Sequence, residues 1–227
     1  RKSILQLFLE VLRVGNLNNL GGGFFRRLAV AATAPGHPAA YVLLTLLSVF
    51  AFGIGLADLP PTDRDESRFM QATKQMIESG DYVNIRVQDE PRRKKPIGIH
   101  WLQAAAVNII GEPLNTAWPY RVPSALGAWA AVMATCAIGR RLFSGRAGLI
   151  AGAAMATFPL TILEAHLAKT DSVLLACITV TMAALAWLYV VAVSEAELLA
   201  GEIETDRAPA AVFWIALGAG VLIKGPV

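Results

Sequence analysis

A group of acids followed by an arginine comes directly after the first apolar run of the chain. Asp63, Asp65 and Glu66 lie close together, and Arg68 follows within one helical turn. A carboxylate held at a membrane–water boundary can act as a general base that takes a proton from an attacking hydroxyl. Acids at a helix N-terminus also offset the helix dipole, so capping is the alternative interpretation. Three acids are more than one helix cap needs, which favours a catalytic role for at least one of them.

A run of four cations, residues 92–95, precedes an apolar stretch from Pro96 to Ile110. Such a run attracts anionic lipid head groups by about 1 kcal/mol per cation. The more specific interpretation is a binding site for the phosphate or pyrophosphate of a lipid, with Lys94 and Lys95 among its ligands. For His100, an interfacial role beside the neighbouring tryptophan fits better than metal ligation.

Further ionisable residues stand at the edges of later apolar runs. Glu164, Lys169 and Asp171 belong to one short connection, and Lys224 ends the last apolar run. Ionisable groups at membrane depth are costly and are often functional. Marking the ends of the membrane spans is the simpler alternative for the same residues.

The composition identifies the elements that must position these groups. The chain has 227 residues, of which 55% are hydrophobic and 16% charged, whereas soluble domains carry about 25% charged residues. The apolar content excludes disorder, and a net charge of only +3 argues against nucleic-acid binding. Two cysteines, Cys136 and Cys177, exclude a disulfide-rich scaffold. We predict an all-α polytopic membrane protein.

Five apolar runs approach the length of about 20 residues that a membrane helix needs. They cover residues 39–57, 122–139, 147–163, 172–193 and 208–223. Residues 1–38 are predicted to be a cytoplasmic segment with an amphipathic helix, and residues 58–121 an external loop bearing interfacial helices. Gly148 and Gly152 in the third run predict a helix-packing face. Because the sequence starts with Arg1 rather than Met and stops just after an apolar run, we interpret it as an N-terminal fragment of a longer protein.

The orientation of the spans follows from Lys and Arg in the short loops. Several cations precede the first span, and three arginines lie in residues 140–146 between the second and third spans. Both regions are therefore expected to be cytoplasmic. The loop 58–121, the connection 164–171 and Lys224 then share the opposite face, where all the candidate residues meet.

Five short motifs in the long loop and beside the last two spans carry a family resemblance. They are Asp65-Glu66-x-Arg68, Ser79-Gly80-Asp81-Tyr82-Val83, Lys95-Pro96-x-Gly98-x-x-Trp101-Leu102, Ala168-x-Thr170-Asp171 and Leu222-Ile223-Lys224-Gly225-Pro226. Their order and spacing resemble family 39-type glycosyltransferases, which include the bacterial aminoarabinose transferase of lipid A modification and the protein O-mannosyltransferases. The resemblance runs from about Pro60 to Val227 and covers the front part of such an enzyme.

This resemblance implies a GT-C transmembrane helix bundle with interfacial helices in a long first external loop. It also implies an enzyme of the bacterial inner membrane whose active face is periplasmic. Such an enzyme moves a sugar from a polyprenyl-phosphate carrier to a hydroxyl of a lipid, glycan or protein, with inversion. The implied partners are this donor, the acceptor and membrane lipids, without nucleic acid.

The resemblance also implies roles for individual residues. Asp65 matches the loop aspartate that acts as catalytic base or orients the acceptor, and Arg68 and Lys95 match basic positions near the lipid phosphate. Glu66 and Asp171 match motif positions that we expect to be catalytic, and Lys224 one that we expect to bind substrate. Because the leaving phosphate gains negative charge, preorganised cations would stabilise it.

The sequence departs from the aminoarabinose enzymes just before the Lys-Pro pair. Those enzymes typically have an aromatic residue and then Glu, where this chain has Arg93 and Lys94. In those relatives the glutamate can ligate a metal ion, whereas the ammonium group of a lysine has no lone pair to donate to one. We therefore expect no cofactor and no divalent metal using this position, positive charge supplied by Lys94 instead, and a different sugar or acceptor.

Two other functions fit parts of the pattern. A transporter or lipid flippase would also carry charges near the membrane, but more often within spans at the midplane. The clustering of charges in an external loop favours an enzyme. A third possibility is a catalytically silent fragment that only scaffolds partners.

Overall fold

The computed structural model describes residues 30–34, 38–92, 95–197 and 207–225, which form α-helices and one short β-hairpin joined by turns and loops. The longer helices are α1 (Ala39–Gly53), α2 (Arg64–Ser79), α3 (Gly98–Ile110), α4 (Trp118–Leu142), α5 (Gly145–Thr157), α6 (Pro159–Ala165), α7 (Asp171–Glu197) and α8 (Arg207–Lys224). In the hairpin, β1 (Arg86–Val87) pairs antiparallel with β2 (Glu90–Pro91). The predicted all-α class is confirmed. The amphipathic helix predicted near the start of residues 1–38 lies outside the described residues, as does Lys94.

Within the described residues, three helices are long and apolar enough to cross a membrane. They are α4, the Asp171–Val191 part of α7, and α8. Helix α4 extends beyond its predicted run 122–139 by three or four residues at each end, and α8 extends beyond its run 208–223 by one residue at each end. All three expose large apolar side chains, including Leu126 on α4, Ile178 on α7 and Ile215 on α8.

The first and third predicted spans differ from the structure. Helix α1 has 15 residues and ends at Gly53, which gives about 22 Å of helix against the roughly 30 Å of a hydrocarbon core. The third run is broken into α5 and α6, and the helix axis bends by 59° between them. Phe158 between them has an extended backbone, since the residue before a proline is disfavoured in the helical region and Pro159 lacks an N–H donor.

Helix α4 lies at the centre of the bundle and packs against α1, α3, α5 and α7. Its contact with α5 is close because glycines remove side chains from the interface. A Cβ built on Gly148 would lie 2.5 Å from the carbonyl oxygen of Cys136 on α4. One on Gly152 would lie 3.2 Å from Cys136 Cβ and 2.6 Å from Cδ1 of Leu44 on α1. These contacts confirm the predicted helix-packing face.

The long loop folds into α2, the β-hairpin and α3 against one end of the bundle. Asp63 caps α2, and Gly80 ends it in the left-handed conformation. The sequence predicts Thr62 or Asp63 as the cap and Gly80 as the end of this helix. A cluster of apolar side chains joins α2 to α3, α7 and α8; it consists of Phe69, Ile99, Val173 and Ile223. This end of the bundle, called the site end below, also contains the start of α4.

Candidate active site

Asp65 lies in the first turn of α2 but does not cap it. The backbone N–H of Asp65 donates to Asp63 Oδ1 at 3.2 Å, so Asp63 provides the cap. The Asp65 side chain is 62% exposed, with its Oδ1 3.8 Å from Arg68 Nη1. The hydrogen-bonded cap is therefore Asp63, whereas Asp65 in the first turn offsets the helix dipole and leaves its carboxylate oxygens open to solvent.

The carboxylate of Asp65 faces an open groove of about 1030 Å³ that contains several cations. Arg68, Arg92 and Lys95 line this groove together with residues of the β-hairpin. The structure thus brings together three of the predicted site residues, Asp65, Arg68 and Lys95. It adds Arg92, which the sequence analysis counted in the cation run but did not predict as a site residue. The lining of the groove holds four cations and three carboxylates: Arg64, Arg68, Arg92, Lys95, Asp65, Asp89 and Glu90. Only Asp65 among these carboxylates lies in the first turn of a helix, and the cations beside it suit binding of an anion next to a base.

Arg92 is held in the groove by an aromatic ring. Its guanidinium carbon lies 4.7 Å from the centre of the Phe69 ring, within the range of a cation–π contact. Partial burial lowers the pKa of Arg92, an effect that Asp65 opposes and Arg68 reinforces. Since an arginine pKa far exceeds neutrality, Arg92 stays charged.

Glu66 lies next to Asp65 in sequence but points into the protein. It is fully buried, and its Oε1 accepts from Arg121 Nε at 2.8 Å and from the Ala168 N–H at 3.1 Å. Its Oε2 accepts from the Thr62 N–H at 3.1 Å. A catalytic role predicted for Glu66 does not fit this burial, because both of its oxygens are already bonded within the protein.

Arg121 is the partner that the sequence interpretation missed. Its guanidinium also donates to the carbonyl oxygens of Leu56, Leu59 and Pro60 at 2.7–3.1 Å. The chain that leaves α1 is therefore tied to α2 and α4 through one buried side chain. The available signal was an arginine directly before a long apolar run, where a charge needs a partner.

A second ion pair fixes the start of α2 from the other side. Lys169, in the turn between α6 and α7, pairs with the carboxylate of Asp63. Lys169 therefore holds the capping residue, while Glu66 holds the first turn of the helix. Together these two pairs set the position of Asp65 relative to α4 and α7.

Asp171 and Lys224 form a separate group beside the groove. Asp171 opens α7, and its Oδ1 lies 2.5 Å from Nζ of Lys224 at the end of α8. Asp171 also lines an apolar cavity of about 550 Å³ together with Glu164. Gly225, the residue after α8, lies close to Pro96, the residue after the cation run, since a Cβ on Gly225 would lie 3.6 Å from Pro96 Cγ.

His100 lies inside the protein rather than at the interface, which corrects the role predicted for it. Its Nδ1 is 2.8 Å from Thr73 Oγ1, whose hydroxyl donates to Gln103 Oε1 at 2.7 Å. Gln103 then donates to the carbonyl of Ala168 at 3.2 Å. Burial, aided by the charge of Arg92, lowers the pKa of His100 to about 4. A neutral imidazole is thus part of a buried network between α2, α3 and the turn before α7.

Two motif residues in the loop are explained by local structure. Asp81 Oδ1 accepts from the N–H groups of Val83 and Asn84, both at 3.0 Å, and these bonds lower its pKa. Trp101 donates from Nε1 to the carbonyl of Tyr82 at 2.8 Å. Asp81 thus stabilises the turn after α2, Trp101 holds this turn against α3, and neither residue lines the groove.

No group of three or more His, Cys, Asp or Glu side chains within the described ranges is arranged to hold a metal ion. Lys94, on which the metal prediction depends, is not among those residues. The expected absence of a metal site therefore stays a prediction.

The fold is shared with two solved structures of one protein. ArnT from Cupriavidus metallidurans bound to undecaprenyl phosphate has a TM-score of 0.69 and is 22% identical, and the match covers 83% of this chain and 33% of that chain. The apo state of the same protein gives a TM-score of 0.68 at 22% identity, covering 81% of this chain and 32% of that one. The chain thus spans about a third of the length of these structures. Comparison with curated proteins gives no match.

The fold is that of a polytopic GT-C membrane protein. The profile of the dolichyl-phosphate-mannose-protein mannosyltransferases matches residues 94–225. Because this match covers more than half of the sequence, the chain belongs to that family. The predicted resemblance is confirmed.

Proposed function

We propose that the chain forms the acceptor-activating part of a membrane glycosyltransferase. The enzyme moves a sugar from a polyprenyl-phosphate carrier to a hydroxyl of a lipid, glycan or protein, with inversion, at the periplasmic face of a bacterial inner membrane. The observation that carries the proposal is the exposed, non-capping carboxylate of Asp65 next to Arg68 in a groove that also contains Lys95.

In the proposed reaction, Asp65 takes the proton of the acceptor hydroxyl as its oxygen bonds to the anomeric carbon of the sugar. The bond between that carbon and the phosphate oxygen breaks, and its electron pair stays on the phosphate. Arg68, Arg92 and Lys95 stabilise the charge that develops there, because fixed cations need little reorganisation during the reaction. The undecaprenyl phosphate bound to the related ArnT structure supports a polyprenyl carrier as donor.

The other predicted residues take supporting roles in this proposal. Glu66 is a positioning residue that orients α2 through Arg121. The pair of Asp171 and Lys224 borders the site, where the carboxylate partly neutralises the lysine. Lys94 extends the positive charge of the cation run.

The transporter alternative finds less support. In the described parts of the spans, ionisable side chains lie at the ends, such as Arg121 and Arg140 on α4 and Asp171 on α7. Transporters place such groups near the midplane of the bilayer. If the protein reconstituted in vesicles moved a polyprenyl-phosphate lipid across the bilayer without transferring sugar, the transporter would be favoured instead.

The deciding experiment measures sugar transfer by the full-length protein with the substitution Asp65→Asn. Asparagine keeps the size of the side chain and removes its basicity, so the rate is expected to fall by about 10²-fold or more. Asp58→Asn is the matched control, because Asp58 is exposed and lies outside the groove. Asp65→Asn activity within about threefold of wild type would contradict the proposed base.

A further inference from the structure

A second cationic cavity lies at the opposite end of α4 from Asp65. It has a volume of about 780 Å³ and is lined by Arg140, Arg141 and Arg146, with Tyr41 and Ser144 beside them. Helix α4 has 25 residues and is about 37 Å long. Since Arg121 near its start belongs to the site end, this arginine cavity faces the other side of the membrane.

One wall of the arginine cavity is held in place by specific contacts. Arg140 donates to the carbonyl oxygens of Ala32 at 3.1 Å and Ala34 at 2.7 Å. Gly145 leaves no room for a side chain against the carbonyl of Thr33. The segment 30–34 is thereby fixed against the start of α5, so the cavity is a defined feature rather than a gap between exposed side chains.

Two of the arginines keep hydrogen-bonding capacity. The guanidinium carbon of Arg141 lies 3.9 Å from the centre of the Trp187 ring, and stacking on a ring leaves the N–H edges of a guanidinium free to bind. Arg146 is exposed at the start of α5. In the part of the chain that the structure describes, neither arginine forms an ion pair with a carboxylate. The tendency of cytoplasmic loops to carry cations explains their charge, but not their convergence on one cavity.

The surroundings indicate what kind of anion fits. Phe143, which also lines the cavity, is 78% exposed, and Leu142 next to it is 39% exposed. Exposed apolar side chains next to arginines suit a ligand that has both a phosphate and hydrocarbon chains. We propose that this cavity binds the phosphodiester head group of an anionic phospholipid, with Arg141 and Arg146 on the phosphate and the acyl chains along Phe143.

The test measures lipid binding to the purified full-length protein by native mass spectrometry, with phosphatidylglycerol and phosphatidylcholine as probes. Phosphatidylglycerol is expected to bind about tenfold tighter or more than phosphatidylcholine. The choline cation of phosphatidylcholine neutralises its phosphate and repels the two arginines, whereas phosphatidylglycerol keeps a net negative charge. The double substitution Arg141→Gln/Arg146→Gln is expected to remove this preference. The control Lys74→Gln/Arg86→Gln removes two cations at the site end and is expected to keep it.

Three results would overturn the proposal. They are equal binding of the two lipids by wild type, an equal loss of preference in the control, and displacement of phosphatidylglycerol by inorganic phosphate, which would make a free phosphate the ligand. Labelling of wild type with a photoactivatable phosphatidylglycerol gives a check that needs no variant. Its adducts are expected in residues 137–146 or at Trp187, and adducts only elsewhere would contradict the proposal. Because the readout is binding, it does not depend on the proposed transfer reaction.

Discussion

Glu66 and Arg121, 55 residues apart, form a buried ion pair with 2.8 Å between Oε1 and Nε. The pair ties the helix that carries Asp65 to the central helix α4. Removal of one partner leaves a buried charge without compensation, which costs about 3–5 kcal/mol. We therefore expect Glu66→Gln and Arg121→Gln each to lower the melting temperature of the purified protein strongly.

The two substitutions together should cost less than the sum of the single effects, because residues in direct contact are coupled. The matched control is the partly exposed pair of Lys74 and Glu78, 3.7 Å apart, where Glu78→Gln should cost about 0.5 kcal/mol or less. Additive effects of Glu66→Gln and Arg121→Gln in thermal unfolding would contradict the buried pair.

The packing of α4 against α5 leads to a prediction with an internal control. A methyl group on Gly148 would lie 2.5 Å from the Cys136 carbonyl, whereas one on Gly218 in α8 would meet nothing within 4 Å. Gly148→Ala should therefore destabilise the protein by about 1–3 kcal/mol through overpacking. Gly218→Ala should be neutral or stabilising, since alanine favours a helix. Equal melting temperatures of the two variants would contradict the close contact.

The local features were predictable and the long-range ones were not. Asp63 and Gly80 mark the ends of α2 in the sequence, because capping depends on residues next to each other. The pairing of Glu66 with Arg121 depends on how the chain returns from α4. The burial of His100 likewise depends on Thr73 and Gln103, which lie on two helices. The proline at position 159 is itself a sequence signal for the helix break before it, but the uninterrupted apolar composition of residues 147–163 led to the prediction of a single span.

His100 gives the protein a pH dependence whose sign can be stated. Its pKa is about 4 in the folded protein, below the usual 6.5, because it is buried in neutral form near Arg92. Between these two values the unfolded chain binds a proton that the folded one does not, so stability falls as pH drops from about 6.5 to 4. The loss attributable to His100 is about 3 kcal/mol at most.

Thermal unfolding in detergent from pH 7 to pH 4 checks this, with His100→Gln as the comparison. The variant is expected to be less stable at neutral pH and to lose less stability on acidification than wild type. Parallel pH profiles of the two proteins would show that His100 does not carry the dependence.

The opposite positions of α2 and of the turn after α4 predict the result of cysteine labelling. Ser79 and Ser144 are both exposed and lie at opposite ends of the bundle. In a background with Cys136→Ala and Cys177→Ala, single cysteines at these two positions should react with an impermeant reagent from opposite sides of the membrane. Labelling of both from the same side would overturn the predicted topology.

The two lysines of the candidate site should respond differently to substitution. Lys95 lines the groove and forms no ion pair among the described residues, whereas Lys224 is bonded to Asp171. In the full-length enzyme, Lys95→Ala should lower kcat/KM for the lipid-linked donor about 10- to 100-fold, as expected for loss of a charged hydrogen bond. Lys224→Ala should lower it as well, but part of that loss comes from leaving Asp171 unpaired. Adding Asp171→Asn to the Lys224→Ala variant should then restore part of the activity, while adding it to the Lys95→Ala variant should restore none.

Treatment with a chelator should leave the wild-type rate unchanged, because Lys94 supplies charge where relatives have a glutamate. Loss of activity in EDTA that added zinc restores would show that a metal supplies this charge instead.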